Sequence, residues 1–250
     1  MEPMSSGAAE QSRKGGRQVA FYGGSFDPPH CGHLAVARAA MTALNLDAVL
    51  FAPVGAQPLK PLGASADFEH RVAMTRLAIA QECGFQVSLA DAPRPGGKPN
   101  FTLETLRQLQ FELGSDCRLF CLMGADSFAN LRAWHGAAEI PFAASLIVAS
   151  RPGEELGKLS ALLPEGVELL EEPVGSAVRR GVEVREYLLQ GRRGQTAPFY
   201  LLPGVYVDIS ASQIRAMLRS GGADPASNGL LPAAVAGYLR SHAIYRDLPE

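Results

Sequence analysis

Apolar residues are distributed along this chain in two styles. Some stand in short continuous runs, and others recur every three or four positions through longer stretches. The runs are Val19-Ala20-Phe21-Tyr22, AVLFA at 48–52, RLFCLM at 118–123 and SLIVA at 145–149. Runs of this length predict strands buried on both faces. Phe85 to Leu89 alternates and predicts another strand. The helical spacing begins at Cys31–Leu44, where Leu34, Ala37, Met41 and Leu44 share one face. Asp67 is placed to cap a helix from Phe68 to Gln81, with Val72, Thr75, Leu77 and Ile79 as inward candidates. Further helices are predicted from Thr102 to Leu113, from Ser210 until Gly221-Gly222 stops it, and from Leu230 to Ser241.

Strands separated by helices imply parallel βαβ units with right-handed connections. The fold class is α/β: a Rossmann-like doubly wound parallel sheet in a single domain, residues 18–246, with a small C-terminal helical part. Residues 1–17 lack apolar periodicity, are rich in Ser, Gly and charge, and are expected to be a disordered tail. Between Glu154 and Pro203 the pattern fades. Val167–Leu170 has strand character there, residues 174–198 form an inserted loop or hairpin, and a strand is expected at Gly204–Ile209.

Length and charge narrow the function. A chain of 250 residues can bury one sizeable core. Its net charge of −2 offers no general attraction to nucleic acid, and it contains no apolar run of membrane-spanning length. With no apolar signal core at the N-terminus, a cytoplasmic location is expected. The cysteines, Cys31, Cys83, Cys117 and Cys121, have no C-x-x-C spacing, so no zinc site is expected, and no cluster of carboxylates suggests a protein cage for another metal.

The chemistry concentrates in VAFYGGSFDPPHCGHL, residues 19–34. A buried strand runs into Gly23-Gly24, where the backbone can turn and approach a ligand closely. Asp27-Pro28-Pro29 follows, and then a helix begins. Strand, glycine turn and helix N-terminus together make a phosphate site, because free N–H groups and the helix dipole point at the ligand. His30 and His33, three apart, lie on one side of the first turn and can donate hydrogen bonds to that anion. The pattern is neither G-x-G-x-x-G nor a Walker loop. A second anion site is built at Ser210-Ala211-Ser212-Gln213-Ile214-Arg215. Ser210 and Gln213 form a capping box, Ser212 offers a hydroxyl, and Arg215 has a fork of donors that matches phosphate oxygens. A well-capped helix carrying a surface arginine would also produce this second pattern.

The stretch GGSFDPPHCGH at 23–33 resembles the nucleotidyltransferase superfamily with an H-x-G-H motif, and within it the bacterial nicotinate-nucleotide adenylyltransferases. The resemblance extends over residues 19–172 and 199–246, and residues 209–215 match the family's I-S-x-[ST]-x-I-R motif. It implies adenylyl transfer from ATP to nicotinate mononucleotide, with Mg²⁺ held mainly by ATP phosphates and water. It implies that Gly23, Gly24, Ser25, Phe26, His30, His33, Gly124, Asp126, Ser210, Ser212 and Arg215 bind ATP. His30, His33 and Arg215 are the implied catalytic groups. Lys60, Phe101, Thr102, Trp134 and Arg151 are the implied mononucleotide-binding residues, with Trp134 stacking on the pyridine ring. On the residues alone, Asp126 is equally a helix cap, Thr102 a helix N-terminal residue, Trp134 a core side chain and Arg151 a surface arginine. One departure is Leu59, which stands where the family often has histidine in a Pro-His-Lys/Arg-Pro loop. Neither a membrane nor a nucleic acid polymer is expected as a partner, and the oligomeric state stays open. Three alternatives remain: a phosphopantetheine adenylyltransferase, a class I aminoacyl-tRNA synthetase fragment, and a nucleotide-binding regulatory module without activity.

Overall fold

In the computed structural model, described over residues 16–56, 63–150, 159–205, 209–220 and 226–245, the strands form one eight-stranded sheet. They are β1 (Arg17–Gly24), β2 (Ala48–Pro53), β3 (Phe85–Val87), β4 (Cys117–Gly124), β5 (Ser145–Ala149), β6 (Val167–Arg179), β7 (Val182–Gly191) and β8 (Thr196–Leu202). The helices are α1 (Cys31–Leu44), α2 (Phe68–Ile79), α3 (Thr102–Leu113), α4 (Ala125–Ala129), α5 (Ile140–Ala143), α6 (Leu159–Leu162), α7 (Ala211–Arg219) and α8 (Ala233–Ser241). Three short 3₁₀ turns accompany them.

The sheet order is β3-β2-β1-β4-β5-β8-β7-β6. Pairing is parallel from β3 across to β8 and antiparallel through β7 and β6. The doubly wound sheet expected from the βα alternation is present, with an antiparallel extension at one edge. Successive strand residues alternate between two cores. Ala20, Tyr22, Phe120, Leu122 and Ile147 face α1, α2, α7 and α8. Phe21, Cys121, Met123, Leu146 and Val148 face α3, α4 and α5. Because both faces are covered, polar positions vanish from the central strands, and this is why those strands are continuous apolar runs in the sequence.

Several expectations need correction. Of the loop or hairpin expected at 174–198 the structure has the hairpin: these residues build most of β6–β7 and the start of β8. The last parallel strand is Thr196–Leu202 rather than 204–209: Gly204 and Val205 lie in a turn and its exit, Ile209 belongs to no strand, and residues 206–208 fall outside the described residues. Arg17, expected in the tail, begins β1 and pairs with Cys117, while residues 1–15 lie outside the described set. Leu77 is exposed, because α2 buries the 71/72, 74/75 and 78/79 stripe on the opposite side. Asp67 occupies the N-cap of α2 without making a side-chain cap bond. The proposed glycine stop at 221–222 lies outside the described residues. Among the described residues, no helix is long and apolar enough to cross a membrane.

Candidate active site

β1 leaves for α1 on one face of the sheet and β4 leaves for α4 on the other, so the strand order reverses between Gly24 and Gly124. Open α/β sheets bind ligands in the crevice beyond such a reversal. A cavity of about 370 Å³ lined by Gln18, Arg118, Arg179, Glu186 and Tyr200 sits at the other end of the strands, away from every motif residue.

Gly23 and Gly24 do not form the expected turn. Both complete β1 and neither has positive φ. Phe26 takes the turn instead, at φ 47°, a region that costs a side-chain-bearing residue energy and persists only where packing enforces it. Its buried ring is held against Tyr22, 5.6 Å between centroids, and His33, 5.0 Å. A Cβ on Gly23 would come 2.7 Å from the Phe21 ring, and one on Gly24 3.2 Å from the Phe26 ring. The two glycines make room for these aromatic side chains while keeping the strand end bare.

His30 caps α1 and is 8% exposed. Its backbone N–H donates to His33 Nδ1 at 3.1 Å. A neutral imidazole that accepts at Nδ1 carries its proton on Nε2, so His33 offers an Nε2–H donor. The two rings stack 3.7 Å apart. Burial lowers the pKa of His30 to about 4. Burial first, and then the neighbouring His30, lower that of His33 well below its ordinary value. The pair is therefore neutral at pH 7, and the Nδ1 atom of His30 is buried without a hydrogen-bond partner. The glycine of the motif has a steric cause as well. A Cβ on Gly32 would lie 3.0 Å from the His30 ring and 3.1 Å from the Ile209 side chain.

The second motif adjoins the first. Ser210 caps α7 with the expected box: its Oγ accepts from Gln213 N–H at 3.2 Å, and Gln213 Oε1 accepts from Ser210 N–H at 2.7 Å. Arg215 donates from Nη1 to the Asp27 carbonyl at 2.6 Å and from Nη2 to Ser212 Oγ at 3.1 Å. The Asp27 carboxylate lies 3.7 Å from the same Nη1. His30, His33, Ser212 and Arg215, almost two hundred residues apart in sequence, thus belong to one corner of the molecule.

On the other side of the reversal, Gly124 ends β4 and caps α4, so Asp126 is not the cap that the sequence allowed; it sits exposed in the first turn. A Cβ on Gly124 would meet nothing within 4 Å, so internal packing does not demand glycine there. Phe101 and Thr102 stand at the start of α3, with the Phe101 ring 4.4 Å from that of His135. Trp134, next to His135, is half-buried against the second core. Below them Asp91 is buried, accepts from Thr105 Oγ1, and is raised in pKa chiefly by burial. Lys60, Leu59 and Arg151 lie outside the described residues.

Three structural residues of the site escaped the sequence reading. Asp27 was visible in the motif only as a residue before proline, and no local pattern marks Tyr245, whose hydroxyl donates to Asp27 Oδ1. Arg71, 2% exposed, donates to the carbonyls of Ser25 at 2.8 Å and Ala66 at 3.1 Å, and sits where helical periodicity predicts no more than one helix face. Among the described residues, no group of three His, Cys, Asp or Glu is placed to hold a metal.

Comparison with known proteins gives a consistent set of similarities. The cytidylyltransferase-like family profile matches residues 21–217. A probable nicotinate-nucleotide adenylyltransferase of Gloeobacter violaceus is 35% identical over 234 residues, covering 94% of this chain and 98% of the relative. One from Roseiflexus sp. is 40% identical over 179 residues, 70% of this chain and 87% of the relative. Among solved structures, Plasmodium falciparum nicotinic acid mononucleotide adenylyltransferase complexed with NaAD is similar in fold. Its TM-score is 0.63 at 16% identity, over 92% of this chain and 97% of that one.

Proposed function

The chain belongs to the cytidylyltransferase-like family and, within it, to the nicotinate-nucleotide adenylyltransferases, and on that premise we propose that it transfers the adenylyl group of ATP to nicotinate mononucleotide. The products are deamido-NAD and pyrophosphate, a step of NAD biosynthesis. The observation that carries this reading is the convergence of two phosphate-type helix N-termini, α1 with His30 and His33 and α7 with Ser212 and Arg215, at the C-terminal edge of the parallel strands.

In the reaction, a phosphate oxygen of the mononucleotide attacks the α-phosphorus of ATP. The new O–P bond forms as the bond to the bridging oxygen of the β-phosphate breaks, and pyrophosphate leaves with that electron pair. The protein supplies no nucleophile. It holds two anions in line and stabilises the charge that spreads over the α-phosphate and the leaving group. His33 donates from Nε2–H and His30 lies beside it; a triphosphate against these neutral rings favours their protonation, which would strengthen both contacts. Arg215 and Ser212 hold the β- and γ-phosphates. The strand end at Gly23–Phe26 and the bare Gly124 allow the nucleotide to lie close to the backbone, and Asp126 accepts from ribose hydroxyls. Phe101, Thr102 and Trp134 receive the pyridine nucleotide, together with Lys60 and Arg151.

Nucleotidyltransferases of this kind use a divalent metal. Imidazole and guanidinium donors suit phosphate oxygens, and the Asp27 carboxylate already accepts from Ser65, Ala66 and Tyr245. This donor set fits Mg²⁺ that arrives on the ATP phosphates and keeps its water. When bound, the ion neutralises phosphate charge. The proposal treats residues 18–246 as one domain and sets the reaction in the cytoplasm. Replacement of His33 by Ala tests it: turnover should fall ~100-fold with the unfolding transition retained, and near-normal turnover would remove His33 from the chemistry.

A further inference from the structure

We propose that Asp27 is a positioning residue that sets Arg215, and with it the whole of α7, against the phosphate site at α1. The inference rests on the reading of Arg215 as the β- and γ-phosphate ligand.

Asp27 is 4% exposed and lies between the end of β1 and His30. Its carboxylate gathers donors from segments remote in sequence. Oδ1 accepts from Ala66 N–H at 3.0 Å and from the Tyr245 hydroxyl, and Oδ2 accepts from Ser65 N–H at 2.6 Å. Arg215 Nη1 stands 3.7 Å from Oδ2 while donating to the Asp27 carbonyl at 2.6 Å. Arg71 secures the same knot from beneath through the carbonyls of Ser25 and Ala66.

The arrangement depends on a carboxylate. An ionised carboxylate only accepts, and has lone pairs enough for every donor named here; an Asn of the same shape would, in either orientation of its amide, turn an NH₂ toward the backbone N–H of Ser65 or Ala66. The charge also bears on Arg215. Of the five donors of a guanidinium, Arg215 commits one to the Asp27 carbonyl and one to Ser212 Oγ. The carboxylate then draws the group inward by Coulomb attraction, and the remaining donors stay available to phosphate oxygens. Asp27 need not touch ATP to do this. It fixes the fork on the segment that leads into His30 at the N-terminus of α1.

The test compares ATP with AMP, which lacks the phosphates assigned to Arg215. Equilibrium affinities for each, measured by calorimetry, are needed for the unaltered protein and for Arg215→Ala, Asp27→Asn, Tyr245→Phe and the double variant Asp27→Asn with Arg215→Ala. Asp27→Asn should weaken ATP about tenfold and leave AMP within about twofold, and it should have almost no further effect once Arg215 is gone. Equal losses for ATP and AMP would mean a general scaffold role and overturn the proposal, as would unchanged ATP affinity. Should Asp27→Asn not fold, Tyr245→Phe decides, because it keeps the carboxylate and removes one donor. The expected loss is then about threefold for ATP and none for AMP, and any other pattern rejects the idea. If Arg215→Ala itself weakens AMP as much as ATP, the reading of Arg215 fails, and the role of Asp27 falls with it.

Discussion

Lowering the pH below 6.5 should destabilise this protein through its histidine pair. An exposed histidine in the unfolded chain takes up a proton near pH 6.5, whereas buried His30 resists until about pH 4. Above pH 6.5 both states are neutral at this residue and it contributes no pH dependence. As pH falls through 6.5 the unfolded chain binds the proton first, so stability declines until the folded form also protonates near pH 4. Between pH 8 and pH 5 the two values give a loss of about 2 kcal/mol from His30 alone. His33, lowered by burial and by His30, adds to the same slope. Urea unfolding of the unaltered protein and of His30→Asn, compared at each pH, isolates the effect. The stability difference between the two should move by at least about 2 kcal/mol in favour of the variant from pH 8 to pH 5. Parallel pH profiles, or a His30 Cε1 resonance that titrates near 6.5, would refute the burial argument.

Three other consequences are accessible to simple assays. Gly32→Ala adds helix propensity but presses a methyl to 3.0 Å from the His30 ring; kcat/KM should drop about tenfold while the urea midpoint holds or rises, and an unaffected rate would show that His30 tolerates displacement. Trp134→Ala removes a stacking face, so the KM for nicotinate mononucleotide should rise about tenfold with the KM for ATP unchanged; the reverse pattern would move Trp134 to the ATP side. Chelation of divalent metal should stop pyrophosphate release, and Mg²⁺ should restore it, with no shift in the urea midpoint, since the metal is carried by ATP. A large midpoint shift would instead indicate a metal held by the protein.

The central strands were legible because burial on both faces strips them of polar positions. β5 spans the predicted residues, α1 does so as well, and β1, β2 and β4 differ only at their ends. β8 was not recognised for the opposite reason. It follows a hairpin whose strands mix charged and apolar residues (VELLEEPVGSAVR, VEVREYLLQG), and no helix precedes it to mark a βα unit. The strand expectation therefore slid onto the next apolar residues, at 204–209. In the site, spacing within a motif was readable: His30 with His33, and Ser210 with Gln213. Contacts between motifs were not. The partners of Asp27 lie at 65, 66, 215 and 245, and no local pattern announces such a meeting. Glycine was legible as a type but not in its purpose. Gly23, Gly24 and Gly32 each clear space for a neighbouring ring, while the left-handed turn falls to Phe26.

Pyrophosphate release from ATP and Mg²⁺ tests the central claim most directly, with nicotinate mononucleotide, nicotinamide mononucleotide and phosphopantetheine offered separately as acceptors. Strong turnover with nicotinate mononucleotide, and deamido-NAD as its product, is the predicted result. Turnover with phosphopantetheine instead would contradict the assignments of Thr102 and Trp134, and silence with every acceptor in a folded, ATP-binding protein would contradict the enzyme itself.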